Sequence, residues 1–249
     1  AESGDIVVCT NEGNADMSTS MPKLHLVAMG IEKIVPDYKS LAVFQRLLCR
    51  SATGQPTTAY TSHFRQARPG AEMHVILVDN GRSDILADSE HWETLKCIRC
   101  GSCMNTCPVY RRSGGYSYTY FIPGPIGVNL GMLRDARRYS DNVSACTLCL
   151  SCDNVCPSKV GPGSQIYLWR QKLDSLHRAD PMKKFMSIGM EALFEHPHLY
   201  AAALRLAPLA NIVPDKLTRV REVNPWSVGH TKPEFAKESF QEMWKKGKV

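Results

Sequence analysis

The sequence predicts an α+β fold, in which a mixed α/β segment is followed by a helical cysteine-rich region and a helical tail. Strand-like apolar runs are confined to the first 90 or so residues. Eight of the ten cysteines then fall between residues 97 and 156, where short helical patterns alternate with Gly and Pro. Beyond residue 180 the pattern is helical and broken by prolines. These changes predict three regions, at residues 1–90, 91–180 and 181–249.

The first region contains four predicted strands and one predicted helix. The strands are expected at residues 6–9, 24–29, 57–61 and 73–78, and the helix at 41–48. The first strand lies at the extreme N-terminus, with no earlier element to pair with. We therefore expect this region to be the rear part of a longer α/β domain.

The second region carries the same cysteine motif twice, C-x2-C-x2-C-x3-C-P. Its members are Cys97, Cys100, Cys103 and Cys107 in the first copy, and Cys146, Cys149, Cys152 and Cys156 in the second. This spacing is typical of 4Fe-4S ligands, and in two-cluster ferredoxins the fourth cysteine serves the other cluster. The sequence therefore predicts two 4Fe-4S clusters and electron transfer. The predicted ligand sets are Cys97, Cys100, Cys103 and Cys156 for one cluster, and Cys146, Cys149, Cys152 and Cys107 for the other.

Zinc and disulfides are the alternatives for these cysteines. Structural zinc sites usually combine two C-x2-C pairs across a longer loop, and disulfides require an exporting context that the sequence does not indicate. Cys9 and Cys49 lie outside both motifs on apolar stretches, so we expect them in the core. Tyrosines and arginines between the motifs, among them Tyr116 and Tyr118, are expected to cover the clusters and balance their charge.

Composition narrows the function classes. Thirty Lys and Arg against 24 Asp and Glu give a net charge of +6, but two clusters of about −2 each would reduce it to about +2. Nucleic-acid binding is therefore not expected. No apolar run is long enough to span a membrane, and we expect a cytoplasmic protein. Neither G-x-G-x-x-G nor a Walker motif is present, so two-electron chemistry is expected in a partner subunit.

The third region is expected to be helical over residues 182–209 and irregular around Pro214, Pro225 and Trp226. A final helix is predicted at 233–246, with Pro at its start and an apolar face. This helix either packs on its own protein or contacts a partner subunit.

Several segments resemble a known family. The segments are residues 10–14, 29–36, 50–55, 78–83, 97–101, 107–111, 124–127 and, more faintly, 225–226. The first four resemble the rear of the lactate utilisation (LUD) domain, and the next three resemble the iron-sulfur region that follows it in the lactate utilisation protein B family. The front part of that domain is not in this sequence.

This resemblance implies a CoA-transferase-like α/β fold for the first region. It also implies an iron-sulfur subunit that acts with companion subunits to oxidise L-lactate to pyruvate in the cytoplasm. Asn11, Glu12, Asn80 and Arg82 are candidates for a small-molecule pocket, although their segments are also ordinary turn sequences. The alternatives are an iron-sulfur subunit for another 2-hydroxy acid such as glycolate, a scaffold protein with structural clusters, and a chain that is itself a catalyst.

Overall fold

The computed structural model describes residues 1–175, 181–214 and 230–248. The chain divides into two compact units, residues 1–178 and 179–249. Within the described residues, strands lie in the first 78 positions and helices in all three predicted regions. The predicted α+β class is confirmed.

The first unit begins with four strands in two separate pairs. They are β1 (Ile6–Thr10), β2 (Leu24–Gly30), β3 (Tyr60–Phe64) and β4 (Glu72–Val78). β1 runs antiparallel to β3, with Ile6 opposite Phe64, and β2 runs parallel to β4, with Leu24 opposite Glu72. The third strand was predicted too early, at residues 57–61. Thr58, ahead of the strand, and Thr61, its second residue, join their hydroxyls over 2.6 Å.

Three helices accompany these strands: α1 (Asn14–Ser20), α2 (Tyr38–Thr53) and α3 (Arg82–Ala87). α2 extends beyond the predicted residues 41–48 because both of its ends are capped. Asp37 accepts a hydrogen bond from the Ser40 amide at 2.7 Å, and Gly54 ends the helix with a φ of 76°.

The remainder of the first unit is helical. Its helices are α4 (Ser102–Thr106), α5 (Pro108–Ser113), α6 (Gly124–Ser144), α7 (Ser151–Val155) and α8 (Pro162–Ser175). α6 changes direction at Asp135, whose φ of −157° is not helical. The core lies between α6 and α8 and is built from Val128, Met132, Val143, Ile166 and Trp169.

Buried polar side chains fix the start of α8 against its neighbours. Asn129 donates to the carbonyls of Pro125 (3.1 Å) and Pro162 (2.9 Å). Gln165 accepts from Thr94 at 2.6 Å and donates to the Val160 carbonyl at 2.7 Å. These bonds hold α8 beside the second cysteine motif, because each of these buried polar groups would be costly to leave unpaired.

The second unit contains α9 (Pro181–Glu195), α10 (Pro197–Leu206) and α11 (Phe240–Lys245). The predicted start of the last helix at residue 233 is wrong, because Ser239 and Glu242 form a capping box that starts the helix at Phe240. The irregular stretch predicted around Pro225 and Trp226, and the boundary predicted at residue 180, lie outside the described residues. None of the described helices has the length and apolar character needed to cross a bilayer.

Candidate metal centre

The two cysteine motifs share one backbone conformation. In each, a tight turn holds the first two cysteines and leads into a short helix, α4 or α7, that carries the third. Arg99 and Leu148, at equivalent positions of the turn, have φ values of 63° and 53°. Left-handed backbone is unfavourable for residues with a Cβ, by about 1 kcal/mol or more. Since both motifs adopt it at the same place, the turn itself requires this conformation.

Backbone amides point at the thiols of both motifs. A backbone N–H lies 3.3–3.5 Å from the sulfur of Cys97, Cys107, Cys146 and Cys156, donated by Arg99, Tyr110, Leu148 and Val160 respectively. Such donors favour the negative thiolate form, which is the form that binds metals.

Four thiols taken from both motifs surround a single cavity of about 350 Å³. They are Cys97, Cys100, Cys103 and Cys156, and we refer to them as the first quartet. Apolar side chains, including Ile122 and Ile126, line the rest of the cavity. Burial raises the pKa of Cys103 to about 11 and also raises the pKa of Cys97. These thiols therefore favour the thiolate form only when a cation is bound.

We refer to the other four cysteines as the second quartet: Cys107, Cys146, Cys149 and Cys152. Cys107 and Cys146 line a neighbouring cavity of about 200 Å³ together with Tyr118. Cys149 is exposed and Cys152 is buried, and neither lines that cavity. The thiol of Cys152 interacts electrostatically with Cys146 and with Cys103 of the first quartet. The two quartets are therefore neighbours.

Hydrogen bonds from both sides hold the motifs in place. Lys33, which follows β2, donates to the Cys97 carbonyl, and Arg170 of α8 donates to the Cys146 carbonyl. α4 and α7 pack together, with Thr106 and Ser151 joined through their hydroxyls. Sequence analysis did not identify these partners, because Lys33 is 64 residues from Cys97 and Arg170 is 24 residues from Cys146.

Asp153 is a second feature that sequence analysis missed. Its carboxylate accepts from the Cys152 thiol at 3.5 Å, and from the Ser164 amide and hydroxyl at 2.9 and 2.7 Å. It also accepts from the Gly163 amide. Asp153 therefore fixes the start of α8 next to a cysteine of the second quartet.

The arrangement of the cysteines distinguishes a 4Fe-4S cluster from a single metal ion. In the described part of the chain, no three His, Cys, Asp or Glu side chains are grouped so that they could hold one ion. The first quartet instead surrounds a volume roughly ten times that of one water in the liquid. Thiol donors around an apolar cavity fit a 4Fe-4S cluster, in which each iron takes its own thiolate.

Two of the four candidate pocket residues come together. Asn80 and Arg82 line a cavity of about 830 Å³ that also reaches Cys97 and Arg99. Arg82 donates to Glu32 within this cavity. Asn11 and Glu12 lie in the turn between β1 and α1 and do not line it. This cavity is therefore lined by two of the four candidates.

The remaining sequence predictions have mixed outcomes. Cys49 is buried, with 2% of its surface exposed, as expected, whereas Cys9 is only half-buried. Tyr118 lines the second cavity, and burial raises its pKa, with a further contribution from the neighbouring Cys107. Tyr116 is fully exposed and covers neither quartet. It follows Gly114 and Gly115 in an exposed turn, which directs it to solvent.

The fold and the twin thiol motifs define the chain as an iron-sulfur protein with an α/β segment. Residues 1–85 match the family model of the LUD domain, and residues 93–160 match that of the 4Fe-4S dicluster domain. The resemblance inferred from the sequence is thereby confirmed.

The chain is also similar over most of its length to several bacterial proteins. It is 36% identical over 257 residues to lactate utilization protein B 1 of Bacillus mycoides, covering 99% of this chain and 53% of that protein. It is 38% identical over 217 residues to lactate utilization protein B of Shouchella clausii, covering 84% and 45%. It is 36% identical over 258 residues to the uncharacterized electron transport protein YkgF of Escherichia coli, covering 99% and 54%. This chain spans about half the length of these relatives. No solved structure gives a significant match.

Proposed function

We propose that this chain is the iron-sulfur electron-transfer subunit of a complex that oxidises L-lactate to pyruvate. The observation that carries the proposal is the cavity lined by thiols of both motifs, Cys97, Cys100, Cys103 and Cys156. Relatives at 36–38% identity are named lactate utilization protein B, and another is named an electron transport protein.

The proposal assigns one 4Fe-4S cluster to each quartet. When bound, such clusters supply one-electron transfer. The protein contributes the thiolates, the amide donors to sulfur and the apolar cavity walls. The adjacency of Cys103 and Cys152 supports the assignment, because transfer between two sites requires that they lie close together.

The donor and acceptor are proposed to be companion subunits, and the location to be the cytoplasm. L-Lactate is preferred to glycolate or another 2-hydroxy acid because of the names of the relatives. No segment of this chain is assigned to substrate oxidation, and activity is therefore proposed for the assembled complex only.

Two measurements test the proposal. Anaerobically purified protein is expected to contain about eight irons per chain. In the assembled complex, L-lactate is expected to bleach the visible absorption of the clusters in a stopped-flow experiment at a rate no slower than turnover, and glycolate is expected to do so more slowly. Clusters that stay oxidised during lactate turnover would refute electron transfer through this chain. Faster reduction by glycolate would retain the transfer role and change the substrate.

A further inference from the structure

Comparison of the two motifs reveals a difference in charge. Every position of the first motif corresponds to the residue 49 positions later in the second, as Cys97 corresponds to Cys146. The carbonyl of this first cysteine accepts from a cation in both motifs, Lys33 in one and Arg170 in the other. The two motifs therefore carry the same charge next to the carbonyl of their first cysteine.

The first difference is Arg99, whose equivalent is Leu148. Both have left-handed backbone and donate an amide to the sulfur two residues earlier, at 3.4 Å in each case. Arg99 lines the first-quartet cavity, and its positive charge acts on Cys97 and on Lys33. The first quartet therefore faces one positive charge more than its counterpart at this position.

The second difference is Asp153, whose equivalent is Met104. The Asp153 carboxylate lies 3.5 Å from the Cys152 sulfur of the second quartet. Met104 brings no charge to the matching place beside the first quartet, where it lines the cavity. The backbone and hydroxyl of Ser164 hold the carboxylate in position. The second quartet therefore faces a fixed negative charge that the first does not.

We propose that the first quartet holds the cluster with the higher reduction potential, and that Arg99 and Asp153 are the residues that separate the two potentials. This inference rests on the proposed two-cluster function. Reduction adds one negative charge to a cluster. Neighbouring cations stabilise the added charge and a neighbouring carboxylate opposes it. The first electron to enter the chain therefore resides on the first quartet.

The two residues differ in the size of their expected effect. Arg99 is exposed, so that solvent and salt screen its charge. Asp153 is half-buried and is held by several hydrogen bonds, so its charge is less screened. Asp153 is therefore expected to change the reduction potential of the second-quartet cluster by more than Arg99 changes that of the first-quartet cluster.

The test is a redox titration of the full chain, followed by electron paramagnetic resonance with chemical reductants and mediators. The unmodified chain is expected to give two midpoint potentials. Asp153→Asn should raise the lower one by an amount equal to about a tenfold change in the reduction equilibrium, about 59 mV for a one-electron couple. Arg99→Leu, which places the residue of the second motif in the first, should lower the higher midpoint potential by a smaller amount. Arg99→Lys keeps the charge and should leave both unchanged.

Each result decides the question. The inference is overturned if Arg99→Leu shifts the lower midpoint potential or if Asp153→Asn shifts the higher one. It is also overturned if neither substitution shifts either midpoint potential. Should Asp153→Asn fail to load iron, Leu148→Arg adds the missing cation to the second motif and is expected to raise the lower midpoint. The titration needs neither lactate nor companion subunits, so failure of lactate oxidation leaves it intact. An iron content well below about eight refutes the two-cluster assignment, and this inference with it.

Discussion

At the scale of single residues, proton and metal compete for the same thiols. Burial raises the pKa of Cys103 to about 11, so this thiol is protonated at neutral pH when no cation is bound. Binding of iron must therefore release protons, as metal binding to thiols generally does. At Cys97, Cys107, Cys146 and Cys156, a backbone amide donated to the sulfur favours the thiolate form.

Serine substitutions test the crossed ligand sets. Cys103→Ser and Cys156→Ser lie in different motifs but in the same quartet, so each should lose the same cluster and about half of the iron. The double variant should lose no more than either single one, whereas Cys103→Ser combined with Cys107→Ser should lose nearly all. Iron analysis measures each result. Cys49→Ser, a buried cysteine outside the motifs, is the control and should retain full iron. Additive loss in the Cys103/Cys156 pair would contradict the crossed arrangement.

His91 gives stability a pH dependence. It is fully buried and stacks on Trp169 with ring centroids 3.9 Å apart, and burial lowers its pKa. In the unfolded chain His91 has a pKa of about 6.5, so it binds a proton that it does not bind in the folded chain. The contribution of His91 to the free energy of unfolding is therefore fully present well above about pH 6.5 and is lost as the pH falls below that value. Between about pH 7.5 and about pH 5.5, His91 should account for a loss of up to about 1.4 kcal/mol.

His91→Phe keeps an aromatic ring in the stack and removes the titration. Urea unfolding at the two pH values should show a smaller loss of stability for the variant than for the unmodified chain. Equal losses in both proteins would show that His91 does not titrate in this range.

At the scale of elements, the start of α6 shows how a local signal can be ambiguous. The Gly and Pro residues of this region predicted breaks between helices, and Gly124, the first residue of α6, has a φ of 78°. Pro125, however, lies in the first turn of α6, where its missing N–H is tolerated. Gly127 is needed in the same turn, because a Cβ there would lie 1.7 Å from the Ile122 carbonyl oxygen.

Gly127→Ala should therefore destabilise the first unit by about 3 kcal/mol, the upper part of the range for overpacking, since the obstructing atom belongs to the backbone. Chemical unfolding followed by circular dichroism measures this change. Gly13→Ala is the matched control, because a Cβ there would meet Tyr60 no closer than 3.5 Å. A loss at Gly127 no larger than that at Gly13 would mean that the Ile122 carbonyl moves aside easily.

Elements with a strong local pattern could be predicted from the sequence. β1, β2 and β4 are rich in apolar residues, and both cysteine motifs were found from spacing alone. α1 was missed because its residues Ser18, Thr19 and Ser20 bond back to the helix instead of forming an apolar face. Lys33 and Arg170 were missed because their contacts with the motifs depend on the tertiary fold, which local pattern does not encode. Asp153 lies inside the second motif, but the bonds to Gly163 and Ser164 that hold its carboxylate in place also depend on the fold.

At the scale of the whole molecule, the first unit relies on elements too short to be stable alone. α4 and α7 have five residues each and α5 has six, far below the length at which isolated helices persist in water. They pack against one another and against α6 and α8. We therefore expect bound clusters to supply a large part of the order around the motifs.

Removal of iron tests this dependence. Treatment with an oxidant and a chelator should reduce the protection of amides in residues 97–113 and 146–160 against hydrogen exchange by at least about tenfold. The amides of α9, a 15-residue helix in the second unit, are the internal reference and should be unchanged. Retained protection in both motif segments would show that the polypeptide holds its turns without metal.

The sharing of one cavity by both motifs also bears on how such a chain could have arisen. The matching turns and short helices, repeated at an interval of 49 residues, are what duplication of an ancestral gene segment would produce. A half-length ancestor would have provided only three thiols to each such cavity and would have obtained the fourth from a second copy of itself. Fusion of two such copies would supply the fourth thiol from within one chain, and the two halves could then diverge in charge while both motifs remained necessary.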